Sequence, residues 1–453
     1  MARPIAGMLL LALVFTTLAH GATEPWSVAL FEVLGIGILV LWGVQAVRDG
    51  SLNLKVPAAA FPIFGFLVLA FAQCLGFTNA EGQRISLSLD VEATRTATVT
   101  AVFLTIALIA AANFFRTREQ LMMLANVLTV FGLALAVFAL IQNFTWDGRI
   151  YWLRRSTLQG FGPFVNRNHF AGYMAMLAPI PIGLILTSVR GNARLIYGFA
   201  TALMGVAAVV SSSRSGMLAL IAAFVFLAIA SKRSNLSIGL RVSLVALLAI
   251  LILAGVVWTG PDRAAARVGE AVDTLMRTGE ADPSRAAIWR DSMQMVREYP
   301  VLGAGIGTYR LNYERYGTMP RLYGGIDYAH NDYVQILSDT GVVGAILAVW
   351  FFVVVLRSIS RGIQSHDRLL SGLSLGAGAG IVAVAVQSLA ETDLQIPSNA
   401  LLFFVLYAIT SRAATWHQAK DSQLTRPATL SWQEKATAIR LLPGPKTSAG
   451  NQL

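Results

Sequence analysis

Apolar residues in this chain fall into long continuous runs, not into the alternation of a half-buried strand. Runs long enough to cross a bilayer, roughly 17–25 residues each, lie near 5–20, 27–46, 57–77, 97–115, 121–142 and 169–189. Others lie near 195–211, 216–231, 241–258, 333–356, 371–390 and 398–412. An open sheet could not satisfy its backbone in hydrocarbon, whereas a helix closes its own hydrogen bonds. The pattern therefore predicts an all-α, polytopic transmembrane helical bundle of about twelve spans.

Polar intervals divide that bundle. Residues 1–258 read as spans one to nine with short loops, 259–332 as one long loop, 333–412 as spans ten to twelve, and 413–453 as a polar tail. The first run follows Arg3 and is short, so it reads equally as a signal peptide or a first span. Within the long loop, Asp282 or Ser284 beside Pro283 marks a helix start. Trp289, Met293 and Val296 then recur at helical spacing until Glu298-Tyr299-Pro300 ends the run. Gly303-Ala304-Gly305-Ile306-Gly307 reads as a flexible turn after it. A loop of this length with structure of its own is usually functional.

Composition adds orientation. Only 13% of residues are charged, against about 25% in soluble domains, so the net charge of +11 speaks to topology and anionic lipid before nucleic acid. Nucleic-acid binding finds no support. The single cysteine, Cys74, rules out an intrachain disulfide and multi-cysteine metal sites. Every lysine (Lys55, Lys232, Lys420, Lys435, Lys446) falls where an N-inside arrangement puts the cytoplasm, with Arg48, Arg116, Arg118, Arg190, Arg194, Arg233, Arg357, Arg361 and Arg368. Both termini are expected there. The long loop is then expected to face outward, and the single-cysteine usage fits a bacterial inner-membrane protein, whose outer side is the periplasm.

That loop holds nine arginines, no lysine and ten acids. Arginine presents a planar fork that grips phosphate oxygens, so an anionic ligand on the outer face competes with simple ion pairing as the explanation. Arg214, in Ser211-Ser212-Ser213-Arg214-Ser215-Gly216, stands between two apolar runs with almost no loop. It is either a snorkelling residue or a functional charge at the hydrocarbon boundary. Arg285, four residues before Trp289, could instead rest beside that ring. His330 precedes Asn331 and Asp332, so the cluster reads as a helix cap or as a general base, kept neutral by neighbouring arginines. Asn166-Arg167-Asn168-His169 could meet sugar hydroxyls or cap a span. Asp393, in Glu391-Thr392-Asp393, could orient an arginine or the histidine, or be a solvated loop acid. No phosphate loop or His-Glu-x-x-His helix is present, nor is Asp-x-Asp, which would hold a divalent metal against a diphosphate.

Taken in order, Ser213-Arg214-Ser215-Gly216, Ser284-Arg285 with Trp289, Tyr299-Pro300-Val301-Leu302-Gly303-Ala304-Gly305, His330-Asn331-Asp332-Tyr333-Val334-Gln335 and Gly341-Val342-Val343-Gly344 resemble the O-antigen ligase/polymerase superfamily, over roughly residues 160–410. The resemblance implies a metal-independent, cofactor-free inverting glycosyltransferase that takes glycan from an undecaprenyl-diphosphate carrier at the periplasmic face. It implies that Arg214 and Arg285 hold the diphosphate and that His330 activates the acceptor hydroxyl. Asn166, Arg167, His169, Asn331 and Asp393 are the further substrate-binding candidates. The acceptor would be a glycan, as in a surface-polysaccharide polymerase, which we prefer, or lipid A core, as in a ligase. Protein as acceptor is a third variant. Partners implied are membrane lipid and chain-length regulators or other polysaccharide-assembly proteins. A non-enzymatic transporter of an anionic lipid or glycan is the reading from a different class. It would place charges along a mid-membrane path, whereas these cluster on one side.

Overall fold

A computed structural model describes residues 2–52, 54–78, 82, 84–156, 160–231, 283–318 and 326–425. The helices in chain order are α1 (Ala2–Leu18), α2 (Pro25–Asp49), α3 (Ala60–Gln73), α4 (Val91–Phe114) and α5 (Arg118–Phe144). There follow α6 (Arg167–Leu177), α7 (Pro179–Thr187), α8 (Ala193–Val210), α9 (Arg214–Ala230), α10 (Pro283–Glu298) and α11 (Tyr309–Tyr316). The last three are α12 (Asp332–Ile363), α13 (Arg368–Gln387) and α14 (Pro397–Thr425). Polar caps set several starts. Asp90 accepts from Glu92 N and Ala93 N ahead of α4, Thr117 and Gln120 form a capping box on α5, and Asp367 caps α13.

Among the described residues seven helical stretches are long and apolar enough to cross a membrane, and three shorter apolar helices accompany them. The chain is a multi-pass helical bundle. The expected span 241–258, the first part of the long loop and the tail beyond 425 lie outside the described residues. Two small antiparallel hairpins, Gly76–Thr78 with Arg84–Ser86 and Arg149–Ile150 with Arg154–Arg155, interrupt the all-helical expectation, because they lie in polar loops with no apolar signal.

The most enclosed part is the α6–α7 rod and α13, with 94% and 83% of their apolar windows buried. Pro179 and Pro181 lack amide donors and divide the rod into two helices. Gly372, Gly376 and Gly380 recur every fourth residue along one face of α13 and meet backbone. A Cβ on Gly376 would lie 2.8 Å from Pro179 O and Ile180 Cα. Gly372 faces Gly183 O, and Gly380 faces Met176 O. Lipid tails supply no hydrophobic drive between spans, so close backbone approach through small residues is what associates them.

Helix ends gather at two poles. At one, Tyr151 OH donates to Leu18 O (2.6 Å), Ser398 N to Gly21 O (3.2 Å), Gln73 Nε2 to Leu302 O (2.7 Å), Leu89 N to Ala304 O (2.9 Å) and Gln142 Nε2 to Gly162 O (3.2 Å). At the other, Arg118 pairs with Asp367 (3.2 Å), Asn113 Nδ2 donates to Lys55 O (2.8 Å) and Arg412 Nε to Arg116 O (3.2 Å). The first pole carries α10 and α11, which pack on a small core of their own built from Ile288, Met295, Tyr309, Tyr313 and Ala329.

The glycine-rich segment after α10 is docked, contrary to the flexible turn expected from its composition. Gly341 (φ 61°, ψ −160°) breaks α12, and the freed backbone groups are taken by that segment. Val342 N donates to Pro300 O (2.9 Å), Ala304 N to Ser338 O (3.0 Å) and Gly305 N to Asp339 O (3.1 Å). Broken helix inside a membrane protein persists only with such replacement partners.

Gly376→Ala should lower the thermal midpoint, reflecting a loss of about 1–3 kcal/mol from overpacking against immovable backbone. Gly43→Ala, where an added Cβ meets nothing within 4 Å, should leave it unchanged or raise it slightly. Equal effects in thermal unfolding of the two purified variants would argue against the glycine seam.

Candidate active site

The short connection between α13 and α14 brings a carboxylate to the centre of the first pole. Glu391 has a fully buried side chain (0% exposed), and its Oε1 accepts from Asn168 Nδ2 (2.5 Å) in the first turn of α6 and from Arg285 Nη2 in the first turn of α10. Its Oε2 lies 3.3 Å from His330 Nδ1. One acid thus joins groups 223, 106 and 61 residues away in sequence. Burial pushes the Glu391 pKa up, but the His330 hydrogen bond and the Arg285 charge outweigh it, so the net shift is below its ordinary value of 4.5. The ordering it provides is present above 4.5 and is lost only as pH falls through the lower folded value.

His330 sits in the left-handed region at φ 48°, a conformation that costs a non-glycine residue free energy. Capping of α12 falls to its neighbour, because Asn331 Oδ1 accepts from Tyr333 N (3.0 Å) and Val334 N (3.1 Å) and its Nδ2 donates to Leu389 O (3.0 Å). Asp332 anchors the same turn through Ser388 Oγ (2.7 Å) and Leu394 N (3.2 Å). His330 is thereby left with a side chain 36% exposed and Nδ1 toward a carboxylate. A proton on Nδ1 donated to Glu391 leaves Nε2 as the basic nitrogen. Among the described residues its charged partner is this acid, which orients the ring.

His169 and Asp393 make a second, enclosed pair. His169 Nδ1 lies 2.8 Å from Asp393 Oδ1, whose side chain is 0% exposed. Asn166 caps α6, its Oδ1 accepting from Asn168 N at 2.9 Å. That fixes the amide so that Nδ2 faces His169 Nε2 at 3.4 Å, and both ring nitrogens are occupied. Asn399 Nδ2 donates to His169 O at 3.1 Å, and Gln387 Nε2 to Asn168 O at 2.8 Å. Burial raises the Asp393 pKa to about 6, against the His169 hydrogen bond and charge, which lower it.

Arg285 enters the cluster directly, with its side chain 26% exposed, while Trp289 Nε1 turns to Ala329 O (3.0 Å). Arg214 opens α9, is exposed, and follows Ser213, which caps the helix through Gly216 N (3.1 Å). Gly216 packs on Ala171 of α6, so Arg214 stands at the same pole as His169. Arg167 is half-buried at the first position of α6. Asn166 and Asn331 serve as caps. The residue that reading by motif undervalued is Glu391, which entered only as a neighbour of Asp393 in Glu391-Thr392-Asp393. Its signal was a short connection holding two acids and no base, at the pole where arginines collect.

Glu391→Gln should keep the shape and remove the charge that orients His330 and Arg285. Loss of roughly 1.5–3 kcal/mol per charged hydrogen bond should appear as weakened protection of the α10 amides in hydrogen exchange. Asp393 obeys the opposite sign: a raised folded pKa gives stability that is full below 3.8 and lost as pH rises through about 6. The thermal midpoint of Asp393→Asn, relative to unsubstituted protein, should therefore be more favourable at pH 7.5 than at pH 4. A pH-independent difference would contradict that titration.

Residues 199–349 match the family model described as O-antigen ligase. No curated protein matches the chain. The matched region includes Arg214, Arg285 and His330, while Asn166, His169, Glu391 and Asp393 lie on either side of it. This match over a third of the chain, carried on a multi-pass helical architecture, supports a relationship to the O-antigen ligase/polymerase superfamily.

Proposed function

We propose that this protein is a surface-polysaccharide polymerase that moves glycan from an undecaprenyl-diphosphate carrier to an acceptor hydroxyl at the periplasmic face of the inner membrane. The observation that carries the reading is the buried Glu391 carboxylate holding His330 and Arg285 together. Family-level support is for glycan ligase or polymerase chemistry in general.

In the proposed step His330 Nε2 takes the proton of the acceptor hydroxyl as its oxygen attacks the anomeric carbon. The new glycosidic bond forms as the bond from that carbon to the diphosphate oxygen breaks, and the electron pair leaves with the diphosphate. Arg285 gives one donor to Glu391 and has four N–H groups of its fork left for diphosphate oxygens. Arg214, at the N-terminus of α9, adds charge where a helix end already favours an anion. Charge developing on the leaving group is thus met by fixed donors, the electrostatic contribution expected to be large in a shielded site. Asn166, His169, Asn331 and Asp393 hold the geometry in this reading and do not touch sugar.

The test is turnover by purified protein of a lipid-linked repeat unit, read as released undecaprenyl diphosphate. A second lipid-linked repeat should serve as acceptor and lipid A core should not; the reverse would make the protein a ligase. General-base assistance contributes about 10²–10⁴-fold, so His330→Asn should lose that much, and Arg285→Lys most of the activity, with both proteins folded. Near-normal turnover by His330→Asn would remove the proposed base. Turnover should also survive EDTA; activity restored only by Mg²⁺ or Mn²⁺ would overturn the arginine-based departure.

A further inference from the structure

The second pole holds a cavity unrelated to the glycan site. It has a volume of about 280 Å³ and lies between the C-terminal turn of α2 and the α4–α5 junction, walled by Trp42, Gln45, Asp49, Asn113, Arg116 and Gln120. Liquid water occupies about 30 Å³ per molecule, so the space equals about nine waters, on the scale of a phospholipid headgroup.

Its walls carry opposite charges. On one side the Arg116 guanidinium is steadied by Asn113 Oδ1 (2.5 Å), and Arg412 reaches the Arg116 carbonyl from behind (3.2 Å) while lying over the Trp416 ring. The N-terminus of α5 adds its partial positive charge there. On the other side Asp49 ends α2, whose C-terminal carbonyls carry partial negative charge. Gln45 Nε2 donates to Asp49 Oδ2 at 3.3 Å, which fixes the amide, and Gln45 Oε1 is then buried with no hydrogen-bond partner among the described residues. That oxygen faces the cavity beside Asp49, where it can accept from an N–H or O–H donor. Trp42, edge-on to Phe114 with centroids 5.0 Å apart, supplies the aromatic group common at membrane interfaces.

We propose that this cavity binds the zwitterionic phosphoethanolamine headgroup of a membrane phospholipid. The phosphate lies against Arg116 and the α5 terminus, and the ammonium donates to Gln45 Oε1 and Asp49. A choline headgroup has no N–H to offer. A glycerol headgroup has hydroxyls but no positive charge for Asp49.

The test uses the full-length protein, purified and stripped of lipid in detergent, with native mass spectrometry against phosphatidylethanolamine, phosphatidylcholine and phosphatidylglycerol of matched acyl chains. Unsubstituted protein should retain the ethanolamine lipid about fivefold over either of the others, the scale of one solvent-exposed ion pair. Asp49→Asn and Gln45→Leu should each reduce that preference, with the thermal midpoint confirming that both remain folded. Equal retention of the three lipids by unsubstituted protein, or a preference unchanged in both variants, would overturn the proposal. Displacement of the lipid by soluble glycerophosphoethanolamine at equal concentration would overturn its assignment to membrane lipid.

Discussion

The arrangement depends first on backbone meeting backbone between α13 and the α6–α7 rod. In hydrocarbon there is no water to drive apolar side chains together, so spans associate through dispersion and through how closely they can approach. Glycines at 372, 376 and 380 remove the side chains that would hold the two rods apart. The consequence reaches the chemistry. α6 opens with Asn166-Arg167-Asn168-His169, and α13 runs into the connection that bears Glu391 and Asp393, so the seam brings these two polar ends into register. His169–Asp393 and Asn168–Glu391 contacts then close across the same helix ends.

Electrostatics at that pole divides by burial. Asp393 Oδ1 pairs with His169 out of reach of solvent, with Oδ2 buried and without a hydrogen-bond partner among the described residues. Glu391, equally buried, turns its two oxygens to groups that are partly exposed, His330, Arg285 and Asn168. A buried carboxylate is expensive alone and is tolerated when paired and hydrogen-bonded. The pairing leaves the histidine and arginine held but accessible, the condition a base and an anion-binding group both require. The left-handed backbone of His330 fits the same logic, since strain persists only where surrounding contacts over-determine it. Here Asn331 and Asp332 lock the next turn.

The helices α10 and α11 are not appended loosely. The break at Gly341 would leave amides and carbonyls without partners in the bundle, and the segment from Pro300 to Gly305 supplies them. α10 is thereby registered against α12, which places Arg285 and His330 on opposite sides of one acid. A composition that reads as flexible is rigid here because its glycines are the residues able to adopt positive φ in contact with another backbone, as Gly303 does against Asp339 and Thr340.

Continuous apolar runs, lysine placement and capping residues determine locally that this chain is a helical membrane protein and where most of its helices begin, because backbone satisfaction in lipid leaves one answer and caps act within a turn. The Ser-Arg and His-Asn-Asp motifs were legible for a similar reason: polar groups beside hydrocarbon stand out. The Glu391 junction was not, since an acid in a short loop looks the same whether solvated or buried, and its partners lie 61 to 223 residues away. Nor could spacing alone tell that Asn331 caps while His330 is spared, or that the 303–307 glycines dock. Those outcomes were decided by tertiary packing, because desolvation and close approach are properties of the assembled bundle and not of any single segment.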